Sequence, residues 1–212
     1  MEGDMTSSAT DQLSKRPFEA DDKFSDLVLV VEGHKLHVSK TLLMIHSPVF
    51  ETMFTADFKE KELGEIPLPE KKYSTMAALL EQIYPGNVVD LINNETLPEL
   101  LQLADEYDVQ QVFHNCQQYI EKKIYQLYPE YTVDLILFYL GIVDRYARLH
   151  SLRQRLVQLA ACIPATKMEQ SKRFCSVPVA AIKDALMLRS KAIERSHGDF
   201  SKNIREWIKS VE

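Results

Sequence analysis

The stretch FSDLVLVVEGHKLHVSKTLLMIHSPVFETMF, residues 24–54, decides the fold. Leu27 to Val31 is a short apolar run rich in β-branched residues, the composition of a strand. Glu32-Gly33 supplies a two-residue turn, and His34 to Val38 alternates polar with apolar, so a second strand returns beside the first. Ser39 stands before KTLLMIH as an N-cap. Ser47-Pro48 joins a second N-cap to a proline at the first helical position, where the missing N–H is harmless. A hairpin feeding directly into two helices points to an α+β fold with a short sheet against a helical cluster.

Downstream, Glu65-Ile66-Pro67-Leu68 is a short strand candidate that Pro67 assigns to a sheet edge. A helix is predicted from Lys71 or Lys72 to Ile83, ended by Pro85-Gly86. Thr96-Leu97-Pro98-Glu99 and Asp108-Val109-Gln110-Gln111 carry capping-box patterns. The first opens a helix with Leu97, Leu100, Leu101 and Ala104 on one face. The second opens one with Val112, Phe113, Cys116, Tyr119, Ile120 and Ile124 inside.

After Pro129 the strand signals stop. Leu135, Phe138, Tyr139, Ile142, Val143, Tyr146 and Leu149 recur at helical spacing, followed by Leu152, Leu156, Leu159 and Ile163 up to the break at Pro164. Pro178 opens a further helix containing Ile182, Ala185, Leu186 and Ala192, and Ile204, Trp207, Ile208 and Val211 form a last stripe beyond a hinge at 196–199. Residues 1–23 are polar, lack apolar periodicity and read as a disordered tail. The expected organisation is a tail over 1–23, an α+β domain over 24–126 and an all-helical extension over 127–212. The connecting YQLYPEY (125–131) is short and aromatic, unlike a flexible tether, so the two halves are expected to pack together.

Hydrophobic content of 45% with 26% charge suits a globular chain with a sizeable core. No apolar run approaches the roughly 20 residues of a membrane span, and the acidic MEGDMTSSATDQ has no apolar segment of a secretory signal. Cys116, Cys162 and Cys175 are far apart and odd in number, which fits a reducing compartment, cytoplasm or nucleus. Residues 1–126 carry 11 Lys/Arg against 22 Asp/Glu, while residues 127–212 carry 14 against 9. The acidic first half would repel phosphates, so nucleic acid is not an expected partner. The basic second half either meets an acidic partner or offsets its neighbour's charge.

The run from Asp26 through Gly33, Leu36 to Lys40 and Ser47 to Phe50 resembles the opening of a BTB/POZ domain. The likeness continues through FKEKELGEIPL (58–68), LLEQIYPG (79–86) and LPELLQLADEYDVQQVFHNCQQYI (97–120). The C-terminal half is more loosely similar to the helical extensions, including the BACK region, that follow such domains in cullin adaptors. No kelch repeat, zinc finger or MATH-type sandwich is visible. The resemblance implies a dimeric protein-binding adaptor that presents an unknown protein target to a cullin-3 ubiquitin ligase. The alternative is a dimerising scaffold, or a transcription or cytoskeletal regulator, with no ligase role. The hairpin lacks the paired glycines of channel-tetramerisation relatives.

The resemblance also nominates residues. Phe58 and Glu60 fall in the register of the hydrophobic-x-Glu motif of cullin-3-binding members, with Tyr84 a second contact; Pro85 departs from the usual Tyr-Thr-Gly step there. Phe58 is either an interface anchor ringed by charge or a core side chain. Asp26 and Lys40 match positions lining a charged pocket near the dimer interface, and the usual His before that lysine is Ser39 here. The other reading is that Asp26 caps local backbone N–H groups and Lys40 is exposed. Leu42, Leu43 and Ile45, with Val49, Phe50, Met53 and Phe54, are more apolar surface than one face needs. Leu42, Leu43 and Phe50 are therefore assigned to a twofold contact.

Catalysis finds little support. There is no G-x-S-x-G and no phosphate-cradling glycine loop, and the chain has only six glycines. His34 and His37 on an extended strand point to opposite faces, so no metal site is expected. Cys116 lies on an apolar helical face, where burial is the expected fate. No cofactor and no enzyme activity are expected.

Overall fold

The computed structural model describes residues 18, 23–55, 64–85, 91–126 and 132–197. The chain divides into two compact units, Met1–Tyr119 and Ile120–Glu212.

The first unit is built on a three-stranded sheet in the order β2-β1-β3. Strand β1 (Leu27–Val31) pairs antiparallel with β2 (His34–Val38), Leu29 opposite Leu36. The turn between them places Glu32 at φ +50 and Gly33 at φ +80, the type I′ geometry whose twist matches the strands it joins. Leu27, Leu29, Val31, Leu36 and Val38 are buried, so the alternation read from the sequence sets the inner face. Strand β3 (Glu65–Pro67) runs parallel to β1 at the sheet edge. The bonds flanking Pro67 come from the Gly64 carbonyl, which accepts from Val28, and from the Leu68 N–H, which donates to Val30. Pro67 therefore sits where the ladder needs no donor from it.

Helices α1 (Lys40–His46), α2 (Pro48–Thr55), α3 (Tyr73–Ile83), α4 (Leu97–Glu106) and α5 (Gln110–Gln126) follow. Ser47 is fully buried and caps α2: its hydroxyl accepts the Phe50 N–H at 3.1 Å and donates to the Tyr107 carbonyl. Phe50 stacks on Tyr107 at 4.5 Å and on Phe54 at 5.6 Å. Two amides are buried with them, and they satisfy each other. Asn115 donates to the Gln82 side-chain oxygen at 3.0 Å and accepts from Gln111 at 2.9 Å, joining α3 to α5.

Both capping boxes are corrected. Thr96 makes no side-chain cap to α4. Asn93, three residues earlier, accepts the N–H groups of Glu95 and Thr96 at 2.9 Å, and Glu99 reaches away to Lys72 and Thr75. Asp108 has φ +53 and ends α4 instead of opening α5. The Val109 N–H returns to the Ala104 carbonyl at 2.9 Å, the long bond of a Schellman ending.

The described part of the second unit is all helical: α6 (Val133–Arg145), a 3-10 segment (Ala147–Leu152), α7 (Arg153–Ala161), α8 (Ala165–Glu169), a 3-10 turn (Phe174–Ser176) and α9 (Val179–His197). Thr132 caps α6 through the Leu135 N–H. The 3-10 turn passes α6 beside Gly141, where a β-carbon would lie in ordinary contact with the Ser176 carbonyl at 3.4 Å. Arg153 ties α7 to its neighbours, donating to Asp144 and to Asp184 at 2.6 Å each. Arg189 of α9 donates to the Ile163 carbonyl just beyond α7, at 3.0 Å. Helix α9 contains Ile182, Ala185, Leu186 and Ala192 as expected; Ile182 and Ala185 are buried, and Leu186 and Ala192 are exposed. Among the described residues no helix is long and apolar enough to cross a membrane.

Candidate protein-interaction surface

The corner where β2 turns into α1 gathers most of the residues singled out from the sequence. Ser39 occupies the N-cap position of α1 but makes no side-chain cap. Asp26, from the approach to β1, does so across the hairpin: its carboxylate accepts the Lys40 N–H at 2.6 Å. Asp26 is exposed and Lys40 half-buried, with the Lys40 ammonium 5.3 Å from the centroid of the Phe54 ring. The cap matches one half of the second reading, while its other half, an exposed Lys40, does not hold.

Tyr84 ends α3 and is half-buried. Its hydroxyl accepts the Ser39 N–H at 2.6 Å, so the ring braces the β2–α1 junction from below. The edge of its ring meets Phe18 at 4.9 Å, and the Phe18 carbonyl accepts the His37 N–H at 2.7 Å on the outer edge of β2. Phe18 lies inside the stretch expected to be a disordered tail, and there that expectation is corrected. The available signal was a single aromatic residue in an otherwise polar segment.

Leu43 and Phe50 are also corrected. Both have no exposed surface in the single chain, so they form its core and have nothing to offer a second copy. Leu42 is half-buried. The apolar residue that α1 does leave outside is Ile45, 70% exposed, and Phe24 before β1 is 69% exposed. Seven-residue α1 is too short for periodicity to separate the two faces, which is why Leu43 and Ile45 looked alike in the sequence. Phe58, Lys59 and Glu60, in the connection between α2 and β3, lie outside the described residues, as do Ile204, Trp207, Ile208 and Val211.

Little here suits chemistry. His34 is exposed and tilts against Tyr73 at 4.9 Å. Among the described residues, no group of His, Cys, Asp and Glu is placed to hold a metal ion. Cys116 is fully buried, and burial pushes its thiol up to about 12, away from the thiolate a nucleophile needs. Burial, reinforced by the neighbouring Glu106 carboxylate, also pushes the Tyr107 phenol up to about 12.

A family model described as the BTB/POZ domain matches residues 15–124. The chain is 34% identical over 95 residues to BTB and MATH domain-containing protein 38 of Caenorhabditis elegans, spanning 45% of this chain and 24% of that protein. It is 28% identical over 101 residues to human Kelch repeat and BTB domain-containing protein 4, spanning 48% and 18%. The matches span less than a third of the length of these curated relatives. Among solved structures, the BTB domain of zebrafish PATZ1 is 23% identical over 47% of this chain and 77% of that one, with a TM-score of 0.40. The BTB domain of human gigaxonin is likewise 23% identical, over 46% and 79%, with a TM-score of 0.40.

Proposed function

Because this chain belongs to the BTB/POZ domain family, a protein-interaction fold, we propose that it is a non-enzymatic, homodimeric adaptor that recruits a protein target to a cullin-3 ubiquitin ligase in the cytoplasm or nucleus. The observation that carries the ligase reading is Phe58-Lys59-Glu60. It falls between α2 and the edge strand β3, the register that the cullin-binding motif occupies in similar proteins. An aromatic anchor ringed by charge is the composition of an interface hot spot. Tyr84 contributes indirectly, because its hydroxyl is engaged with Ser39 and its ring supports the corner.

The deciding experiment measures binding of the cullin-3 N-terminal domain to the full chain and to Phe58→Ala and Glu60→Lys. Truncating a central anchor costs about 2 kcal/mol, roughly thirtyfold in affinity. Both variants should bind more weakly while melting at the wild-type temperature. Wild-type affinity in both would overturn the motif assignment. No binding by the wild-type chain would turn the reading to a dimerising scaffold without ligase function.

A further inference from the structure

Helix α9 buries one side and leaves the other open. Ala181, Ile182 and Ala185 are buried against neighbours that include α7. On the outward side, residues four apart form one oblique row: Val179, Lys183, Met187, Lys191 and Arg195. All five are exposed, Val179 by 83% and Met187 by 50%. Apolar and cationic side chains thus alternate along a row that spans roughly 24 Å. Among the described residues no carboxylate pairs with Lys183, Lys191 or Arg195. The two acids of α9 are engaged already: Asp184 accepts from Arg153 at 2.6 Å, and Glu194 accepts from the Ser190 hydroxyl at 3.2 Å. Residues 132–197 carry 11 Lys/Arg against 5 Asp/Glu, so the row lies in a positive field.

We propose that this row is a docking surface for an acidic amphipathic helix of a partner protein. In such a helix a carboxylate and an apolar side chain alternate every fourth residue. Laid along the α9 row, it sets carboxylates opposite Lys183 and Lys191 and apolar side chains against Val179 and Met187. The neighbouring row of Ala180, Asp184, Leu188 and Ala192 is small at both ends, which leaves a shallow groove for the partner's ridge. With Asp184 held by Arg153, that groove presents no unpaired carboxylate to an acidic helix. Met187 has the unbranched, adaptable side chain that suits such a contact. The alternation argues against a lipid surface, on which apolar and cationic residues are segregated to separate faces of the helix. This proposal does not depend on the cullin-3 reading.

The probe is a fluorescein-labelled helical peptide matched in length to α9, built of Ala and Gln with Glu and Leu alternating at every fourth position. Its anisotropy is followed with the full chain at low salt. The controls are a scrambled peptide of the same composition and one with Lys for each Glu. We expect the acidic peptide to bind and both controls to fail. Reversing two charges together, Lys183→Glu with Lys191→Glu, should weaken binding roughly tenfold and transfer it to the Lys-bearing peptide. Met187→Asp should also weaken it, whereas Lys167→Glu, an exposed lysine on α8, should leave it unchanged. These side chains are all exposed, so each variant should melt at the wild-type temperature. No binding, equal binding of the scrambled peptide, insensitivity to the α9 variants or an equal loss in Lys167→Glu would each overturn the proposal. Binding to phosphatidylserine vesicles in place of the peptide, lost in the same α9 variants, would assign the row to a lipid surface instead.

Discussion

Asp26 and Lys40 meet through the backbone: the Asp26 carboxylate accepts the Lys40 N–H at 2.6 Å, while the Lys40 ammonium turns toward the Phe54 ring. A cap supplied from before β1 fixes the angle at which α1 leaves the sheet. Asp26→Ala should lower the stability of the full chain by about 1 kcal/mol, the usual loss for an N-cap, and Asp26→Asn should retain most of it. Urea unfolding measures both. A variant that keeps wild-type stability but changes only its oligomeric mass would show that Asp26 serves the interface and not the cap.

The proposed dimer has to use what α1 leaves outside. At micromolar concentration the full chain should scatter light with twice its 24.4 kDa mass. Ile45→Asp should shift it toward the monomer at little cost in melting temperature, because that side chain is mostly solvated in the single chain. Leu43→Asp should instead unfold the protein, since it puts an unpaired charge into the core. A monomer at all concentrations in the wild type ends the dimer proposal.

Gln82 and Asn115 form a buried amide pair, and Asn115 also accepts from the exposed Gln111. Asn115→Ala takes a donor from the buried Gln82 oxygen, and a buried polar group left short of a partner costs about 1–3 kcal/mol, whereas the exposed Gln111 can turn to water. Replacing Gln82 and Asn115 together by leucine should cost less than the sum of the two single losses, because no donor is then left facing a missing acceptor across that pair. A double-mutant cycle reads the difference. Simple additivity would mean that the two amides act separately.

Residue patterns made the sheet and the helices legible because each rested on a local signal. The Glu32-Gly33 turn, the alternation of β2, Pro67 at the edge and the Ser47-Pro48 cap all form among near neighbours, and the strands fall at Leu27–Val31 and His34–Val38 as read. What the sequence could not give was set by distant partners. Ser39 and Thr96 stand at N-cap positions, but Asp26, across the hairpin, accepts the first N–H of α1, and Asn93 binds the turn before α4. Glu99, the other half of the supposed box, is drawn to Lys72, and that contact holds its carboxyl below the usual range. Leu43 and Ile45 are alike in composition and two residues apart, and only packing against the rest of the unit separates core from surface.

Alkaline titration tests the buried core directly. The Cys116 thiol is raised from 9.0 to about 12 by burial, and the Tyr107 phenol from 10.0 to about 12, by burial first and Glu106 second. Both groups hold their protons more tightly folded than unfolded. Their contribution to stability is therefore complete below about pH 9 and declines as pH rises toward 12. Urea midpoints should be flat across neutral pH and fall progressively from about pH 9 upward. Thiol labelling gives a second readout on the same side chain. Cys162 and Cys175 are exposed and should react at once in the native protein, while Cys116 should react only as fast as the chain unfolds. Three thiols labelling together under native conditions, with stability unchanged into strong alkali, would show that α5 does not bury Cys116.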